Sequence, residues 1–175
     1  MDSKSGIGLK NKLPWYFKEE LTYFRQITSD SEEGKQNALV MGRKTWESLP
    51  FKPLKNRKNV VLSFQSKLEL PDNVLHLSSL DELLNAEKHT GFYENLDNIF
   101  IIGGASIYEQ AISHLAIDKA YITKVDGDFG CDTVFSGLPE SFQLVSKKDI
   151  LLTDNATKNE AQVSFCVYQN TTQLL

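Results

Sequence analysis

The chain has 175 residues, of which 41% are hydrophobic and 24% are charged, and its formal net charge is −4. Such a composition is typical of one ordinary globular domain with room for a hydrophobic core. No apolar run approaches the roughly 20 residues that a membrane-spanning helix needs. The lysines are scattered and form no basic patch for nucleic acid or anionic lipid. We therefore expect neither a membrane nor a nucleic acid as partner.

The N-terminal sequence and the cysteines point to an intracellular setting. Residues Met1 to Ser5 lack the apolar segment of a secretory signal, which predicts a cytoplasmic protein. Cys131 and Cys166 have no CxxC spacing, and the three histidines never pair at ligand intervals, so we expect no disulfide framework and no metal site. No repeat, low-complexity tract or linker divides the sequence, and residues 1–175 are therefore interpreted as a single domain.

Short apolar runs alternate with helical patterns along most of the chain. In chain order the sequence predicts a helix over Phe17–Thr28, a strand over Ala38–Met41, a helix over Thr45–Leu49, strands over Asn59–Ser63 and Val74–Leu77, a helix over Leu80–Lys88, a strand over Ile99–Ile102, a helix over Ser106–Leu115, and strands over Ala120–Val125, Phe142–Leu152 and Val163–Gln169. This alternation favours an α/β fold with a largely parallel sheet. The last two strands are separated only by a polar stretch, which predicts an antiparallel hairpin at the sheet edge.

Glu20 lies on the apolar stripe of the first predicted helix, together with Leu21 and Phe24, whereas Glu19 faces the polar side. A buried carboxylate without a partner is costly, and desolvation favours its neutral form. Such a group suits holding a polar ligand or managing a proton. The alternative interpretation is an ordinary solvent-exposed glutamate.

Two segments join the end of a buried strand to glycine and to the start of a helix. Met41–Trp46 follows its glycine with two cations and a hydroxyl, and Ile99–Tyr108 carries two glycines. Free N–H groups and the dipole at a helix start favour a phosphate, although each segment alone could be an ordinary turn. A dinucleotide, with its pyrophosphate and an additional ribose phosphate, would need both segments.

Arg57 ends the loop Pro53–Arg57, immediately before a predicted buried strand. Its planar guanidinium matches the geometry of a carboxylate. An arginine in a loop is more often a plain surface residue, and spacing alone does not decide between these interpretations.

From Gly6 to its C-terminus the chain resembles the dihydrofolate reductase family, most nearly in the eukaryotic and fungal style. The shared motifs, in family order, are Gly6-Ile7-Gly8, Leu13-Pro14-Trp15, Met41-Gly42-Arg43-Lys44-Thr45-Trp46-Glu47-Ser48, Pro53-Leu54 with Arg57, Ile102-Gly103-Gly104 with Tyr108, and Asp132-Thr133-Val134-Phe135. The resemblance implies a mixed, mostly parallel central sheet with an antiparallel C-terminal edge strand and flanking helices. It also implies NADPH-dependent reduction of 7,8-dihydrofolate, a small-molecule substrate, to 5,6,7,8-tetrahydrofolate for one-carbon metabolism by a monomer.

The resemblance also implies roles for individual residues. Glu20 would hold the pterin and help deliver a proton to its N5, with Thr123 hydrogen-bonded to this acid and Trp15 ordering nearby water. Arg57 would pair with the α-carboxylate of the glutamate tail, and the Gly103–Gly104 peptide would be cis. The remaining substrate-binding positions would be Leu21, Phe24, Leu49, Leu54, Ile102 and Tyr108. The cofactor-binding positions would be Ile7, Leu13, Gly42, Arg43, Lys44, Thr45, Leu62, Ser63, Ile102, Gly103, Gly104, Ala105, Ser106, Ile107 and Tyr108.

Three features depart from the family pattern. The apolar first strand with which family members begin is missing before Asp2, which would leave two buried strand edges unpaired. We therefore expect a truncated product, or another segment in the place of that strand. Phe64 follows Ser63 where arginine or serine is usual, so Arg43 would carry most of the recognition of the cofactor's 2′-phosphate. Ser136 stands where proline is common.

Two other functions remain open at this stage. A riboflavin-pathway pyrimidine reductase shares the fold and a glycine pair, but nothing in the sequence suggests a seat for a ribityl phosphate. A weak or inactive relic, or a ligand-binding module of the same fold, is favoured by the missing strand. The retained Glu20, Trp15, Arg57 and Thr123 oppose that second alternative, because a relic need not keep every site residue.

Overall fold

The computed structural model describes residues 1–65, 67–85, 91–114 and 117–173. The chain divides into two compact units, a terminal unit of Met1–Thr22 with Ala111–Leu175 and a middle unit of Tyr23–Gln110. In chain order the elements are β1 (Gly6–Gly8), α1 (Lys18–Ser29), β2 (Gln36–Gly42), α2 (Arg43–Ser48), β3 (Lys58–Leu62), β4 (Val74–Leu77), α3 (Leu80–Asn85), β5 (Leu96–Ile101), α4 (Ala105–His114), β6 (Lys119–Val125), β7 (Thr133–Val134), β8 (Phe142–Thr153), β9 (Glu160–Asn170) and a 3₁₀ turn (Thr171–Gln173).

A four-stranded parallel sheet with the order β4–β3–β2–β5 forms the middle unit. The side chains of Ala38–Met41 in β2 and of Val60 and Val61 in β3 are fully buried, as expected for parallel strands covered on both faces. Because β2 pairs directly with β5, the carboxyl ends of these two strands are neighbours. This places Gly42 beside Gly103, whose carbonyl accepts the Gly42 N–H at 2.7 Å.

Two buried asparagines fix the loops around this sheet. Asn59, at the start of β3, accepts the N–H of Leu54 and donates to the carbonyls of Leu54 and Arg57, each at 2.9 Å. Asn37 donates to the carbonyl of Thr28 at 3.1 Å. Burial of an amide costs little when its hydrogen bonds are made. The loop that ends at Arg57 is therefore held by the sheet itself.

The terminal unit contains the antiparallel sheet β6–β9–β8 and the small antiparallel pair β1–β7. β8 and β9 form the predicted hairpin, with β8 at the sheet edge. The buried carboxylate of Asp154 organises its turn by accepting the N–H groups of Ala156 at 2.7 Å and Thr157 at 2.8 Å.

A second buried carboxylate, Asp2, organises the N-terminal loop of the same unit. It accepts the N–H groups of Gly6 at 2.7 Å, Lys4 at 2.9 Å and Phe129 at 3.3 Å. Burial alone would raise the pKa of Asp2, but these N–H groups lower it below its usual range. Gly6 is required at this point, because a Cβ there would lie 2.4 Å from the Cβ of Cys131.

The α/β architecture and the main predicted elements are confirmed. The helix predicted over Leu80–Lys88 is described over Leu80–Asn85, and its remainder, like Leu115 of a later helix, lies outside the described residues. The sequence did not predict β1 and β7, which are too short to show a period. No helix in the described ranges has the length and apolar character needed to cross a membrane.

Candidate functional site

Glu20 occupies the first turn of α1, where the turn between β8 and β9 anchors the helix start. The N–H of Tyr16 donates to the Asp154 carboxylate at 2.9 Å, and the N–H of Lys18 donates to Oδ1 of Asn155 at 3.0 Å. The N–H of Asn155 returns a bond to the carbonyl of Tyr16 at 2.8 Å. These three bonds fix the backbone on the N-terminal side of Glu20.

The Glu20 carboxylate is half-buried and has an unusual electrostatic setting. Burial raises the pKa of Glu20, and the Met1 ammonium partly opposes this rise. Within the described part of the chain this carboxylate makes no hydrogen bond or ion pair with a protein group. Glu19, by contrast, is exposed, in agreement with the helical pattern. Glu20 can therefore hold an N–H group of a ligand or exchange a proton with it.

The hydrogen bond that the resemblance implied between Thr123 and Glu20 is not formed in this structure. The carbonyl of Thr123 accepts a hydrogen bond from the Met1 ammonium, and the Thr123 hydroxyl makes none with the described residues. Burial lowers the pKa of this ammonium, whereas the nearby Glu20 opposes that shift. The ammonium and the Glu20 carboxylate therefore each favour the charged state of the other.

Trp15 is a buried residue of the same unit with an unused hydrogen-bond donor. Its ring meets Phe129 edge to face, with a centroid separation of 5.2 Å and an interplanar angle of 71°. The indole Nε1–H is buried and donates to no atom of the described residues. Buried donors nearly always have a partner. The Trp15 N–H is thus a donor for a polar group other than these residues.

Three predicted apolar contact residues of the terminal unit keep much of their surface open. Ile7 lies on β1 and is half-buried. Leu13 is 51% exposed and follows a tight turn in which Lys10 and Asn11 have positive φ angles of 49° and 62°. Leu21, next to Glu20, is 41% exposed. Exposed apolar side chains of this kind suit contact with a ring system.

In the middle unit Arg57 is oriented by two hydrogen bonds. Its Nη1 donates to Oγ1 of Thr28 at 2.7 Å, and its Nε donates to the carbonyl of Lys55 at 3.0 Å. The Thr28 hydroxyl in turn donates to the carbonyl of Phe24 at 2.7 Å. Burial lowers the pKa of Arg57, and the neighbouring cation of Arg25 lowers it further, but a guanidinium stays charged in proteins. The remaining N–H groups of Arg57 can therefore bind an anion.

Three residues of the predicted apolar wall in the middle unit pack on one core cluster. Leu49, Leu54 and Ile102 are half-buried and pack on the same core cluster. That cluster consists of Leu39, Met41, Trp46, Val61 and Val74. Phe24, on α1, is also half-buried. Three of the predicted wall residues are thus brought together on a single hydrophobic support.

The glycines at the ends of β2 and β5 form a narrow backbone cradle. The Gly103–Gly104 peptide is cis, as the resemblance implies, and φ of Gly103 is +114°, which favours glycine. A Cβ on Gly103 would lie 3.2 Å from Oη of Tyr108, and one on Gly42 would lie 3.1 Å from Cγ1 of Ile107. A Cβ on Gly104 would lie 3.5 Å from Oγ1 of Thr45. A side chain on Gly42 or Gly103 would therefore crowd Ile107 or Tyr108, so these two glycines let the start of α4 pack closely against the strand ends.

The start of α4 supplies donors to this cradle. The N–H groups of Ile107 and Tyr108 both bond to the carbonyl of Gly104, at 2.9 and 3.0 Å. Ala105 and Ser106 precede them, in the part of a helix whose N–H groups have no intrahelical acceptor. Such donors beside bare glycine backbone fit the pyrophosphate of a dinucleotide.

The remaining predicted cofactor residues lie at the ends of β2 and β3. Arg43 pairs with Glu47 one helical turn later, with 2.5 Å between Nη1 and Oε1. Lys44 is exposed and Leu62 is buried. Ser63 is half-buried, and its hydroxyl accepts the N–H of Gln65 at 3.1 Å. Phe64 is 88% exposed and offers no charge to a phosphate.

Sequence reasoning missed the residues that support the site. Thr28 and Asn59 place Arg57, and Asp154 and Asn155 place the start of the helix that carries Glu20. The one available signal was Asn59, a polar residue at the head of an apolar run. The other supporting residues have partners far away along the chain, which no local pattern reveals.

Comparison with known proteins identifies the family of the chain. The dihydrofolate reductase family model matches residues 1–170. The dihydrofolate reductase of Heliothis virescens is 38% identical over 152 residues, covering 83% of this chain and 80% of that protein. The dihydrofolate reductase of Drosophila melanogaster is 41% identical over 145 residues, with 81% and 78% covered, and that of Pneumocystis carinii is 41% identical over 140 residues, with 74% and 68% covered. The chain therefore belongs to the dihydrofolate reductase family.

Proposed function

We propose that this chain reduces 7,8-dihydrofolate to 5,6,7,8-tetrahydrofolate with NADPH, a reaction of one-carbon metabolism. The family match and the names of the relatives support this reaction. The observation that carries the proposal is Glu20, a half-buried carboxylate with a raised pKa and no partner among the described protein groups. A monomer acting in the cytoplasm is the accompanying proposal for its state and location.

Glu20 is the proposed proton-managing group. Its ionised form can accept hydrogen bonds from the amino group and ring N–H of a pterin, and its raised pKa makes a proton available closer to neutral pH than an ordinary glutamate would. The Trp15 Nε1–H, which has no acceptor among the described residues, can hold a water in the path of that proton. Thr123 contributes through its carbonyl, which keeps the Met1 ammonium in place.

The middle unit, taken by itself, carries residues with the chemistry that a benzoyl ring and a tail carboxylate require. Leu49, Leu54 and Ile102 offer an apolar wall to the benzoyl ring. Arg57 offers its free N–H groups to a tail carboxylate, and the bonds to Thr28 and Lys55 preorganise its guanidinium. Because the orientation is set before the ligand arrives, less conformational entropy is lost on binding.

The proposed cofactor seat is the glycine cradle of the middle unit. Its glycines and the first N–H groups of α4 would hold the pyrophosphate of NADPH, and the cofactor supplies a hydride when bound. Arg43 would recognise the additional phosphate of NADPH, for which it must leave or share Glu47. Replacing Arg43 with Gln should therefore narrow the preference for NADPH over NADH, measured as the ratio of kcat/KM values.

The proposal is tested by following NADPH oxidation with dihydrofolate. The wild-type chain should turn over, and Glu20→Gln should lose about 10²-fold or more in kcat because general acid–base catalysis is removed. Glu19→Gln is the matched control, since this neighbour is exposed and should keep wild-type rates. A wild-type chain that binds methotrexate but does not reduce dihydrofolate would support the alternative that the protein is an inactive relic. A chain that neither turns over nor binds methotrexate would favour the pyrimidine reductase, provided that it reduces such a substrate.

A further inference from the structure

Asp126 and Gly127 form the one Asp-Gly pair of the sequence, in the loop that follows β6. Both residues are exposed. Among aspartate pairs, aspartate before glycine forms isoaspartate most readily, because glycine has no side chain to hinder attack by its own backbone nitrogen. This loop therefore carries a chemically reactive pair that the proposed function does not use.

One residue, Ser3, binds both reacting groups of this pair. Its Oγ accepts the N–H of Gly127 at 2.9 Å and donates to Oδ1 of Asp126 at 3.1 Å. The N–H of Ser3 donates to the carbonyl of Gly127, also at 2.9 Å. The N–H of Asp126 donates to the carbonyl of Gln162 at 2.9 Å, which fixes the other side of the pair. The attacking nitrogen and the carboxyl group that it would attack are thus both engaged by a third residue.

Gly127 cannot readily be exchanged for a less reactive residue. Its φ is +126°, which favours glycine, and a Cβ there would lie 3.2 Å from Cε2 of Phe129. The Phe129 N–H donates to the Asp2 carboxylate at 3.3 Å, and the Phe129 ring meets Trp15 edge to face, so Phe129 is itself fixed. The fold therefore requires the reactive glycine, and any restraint on its chemistry must come from a neighbour.

We propose that Asp126–Gly127 is a site of spontaneous isoaspartate formation, and that the hydrogen bonds of Ser3 slow this reaction in the folded chain. The Gly127 nitrogen attacks Cγ of Asp126 and forms a C–N bond, and one carboxyl oxygen leaves as water with the N–H proton and the carboxyl proton. Addition of one water to the cyclic imide then restores aspartate or leaves Cγ in the main chain as isoaspartate. The reaction consumes no oxidant or cofactor. Before it can attack, the nitrogen must give up its bond to the Ser3 hydroxyl.

Isoaspartate lengthens the main chain by one carbon at a point where both flanks are fixed. On one side the N–H of Val125 donates to the carbonyl of Met1 at 2.8 Å, and on the other Phe129 is bound to Asp2. The added carbon cannot be accommodated without displacing one of these bonds, so the isomerised chain should have a lower Tm than the unmodified chain. The inference does not depend on the proposed function, because isoaspartate is measured without any substrate.

The test follows isoaspartate at Asp126 while the purified chain is incubated below its Tm. Peptide mapping by mass spectrometry, with fragmentation that distinguishes the two linkages, gives the rate. Ser3→Ala should react about threefold to tenfold faster than the wild type, the effect of about one net hydrogen bond. Ser3→Thr keeps the hydroxyl and should stay close to the wild-type rate. Ser146→Ala is the matched control, because it removes an exposed serine of β8 and should change nothing.

Two further measurements separate the chemistry from a loss of structure. In urea, where the bonds of Ser3 are absent, the wild type and Ser3→Ala should react at the same rate. Asp126→Glu should give no product at this position, because its cyclisation needs a larger ring that forms more slowly. Equal rates of the wild type and Ser3→Ala in the folded state would overturn the protection by Ser3. A folded Ser3→Ala chain that yields no isoaspartate at Asp126 would overturn the site itself.

Discussion

The N–H of Tyr16 and the carboxylate of Asp154 are 2.9 Å apart, although 138 positions separate them in the sequence. Asn155, the next residue, accepts the N–H of Lys18. The turn between β8 and β9 thus provides an acceptor for the first N–H of α1 through Asn155, and it holds the backbone just before the helix through Asp154. The location of Glu20, two residues beyond Lys18, depends on this remote turn.

Replacing Asp154 with Asn should destabilise the chain at neutral pH by about 1–3 kcal/mol, because an amide nitrogen would face N–H donors. Burial alone would raise the pKa of Asp154, but the N–H groups of Thr157, Tyr16 and Ala156 lower it. The folded pKa is therefore below the unfolded one, and the stabilisation is present above about pH 4 and lost as the pH falls through the folded pKa. Urea unfolding of both chains at neutral and acidic pH should show a difference that narrows in acid. The exposed Asp118→Asn should show none, and equal stabilities at neutral pH would contradict the expectation.

Glu20→Gln should increase thermal stability while it removes activity. Burial raises the folded pKa of Glu20 above the unfolded one, so the folded state binds more protons between these two values. The ionised carboxylate therefore lowers stability as the pH rises through the folded pKa. The Tm of the variant should exceed that of the wild type at neutral pH, and the two should converge below about pH 4. A Tm gap that does not depend on pH, or one equal to that of Glu19→Gln, would refute this reasoning.

Trp15→Phe should separate the roles of the ring and of its N–H. Phenylalanine keeps an aromatic edge for Phe129 and removes a buried donor that has no acceptor among the described residues. Stability should change little, because no intramolecular hydrogen bond is lost, whereas kcat should fall about tenfold, the value of one hydrogen bond. Phe129→Leu should have the opposite effect, because it removes the ring contact and keeps the indole N–H. Its stability should fall, and its kcat should stay close to that of the wild type. Loss of Tm with unchanged kcat in Trp15→Phe would assign the indole N–H no part in the reaction.

Gly42→Ala should weaken NADPH binding selectively. The new Cβ would lie 3.1 Å from Cγ1 of Ile107 and would stand in the cradle beside Gly103. We expect KM for NADPH to rise about tenfold or more and KM for dihydrofolate to stay unchanged, since close backbone approach to a pyrophosphate requires glycine. Overpacking should cost about 1–3 kcal/mol of stability. Equal changes in both KM values would point to a general distortion instead.

The strands of the parallel sheet could be predicted because their sequences are unambiguous. Ala38–Met41 and Val60–Val61 are apolar without alternation, and burial on both faces leaves them no other arrangement. The glycine pair after β5 was equally visible, because its neighbours define a strand end and a helix start. The local sequence pattern was sufficient to predict an element wherever the residues of that element alone determine its structure.

The supporting contacts could not be predicted in this way. Nothing near Thr28 indicates that its hydroxyl will hold Arg57, and nothing near Asn155 indicates that it will cap α1. The match of Thr123 to a family position likewise gave no sign of the Met1 ammonium that donates to its carbonyl. These hydrogen-bond partners are determined by tertiary packing, which the periodicity and spacing of a sequence do not reveal.

The middle unit is one continuous segment, Tyr23–Gln110, whereas the terminal unit needs both ends of the chain. A ribosome therefore releases every residue of the parallel sheet before it has begun β8 and β9. Domains generally fold as units during synthesis, from the N-terminal side onward. A nascent chain that stalls before Asp154 would already contain Arg57 and the glycine cradle. It would still lack Asp154, which anchors the backbone before the helix that carries Glu20.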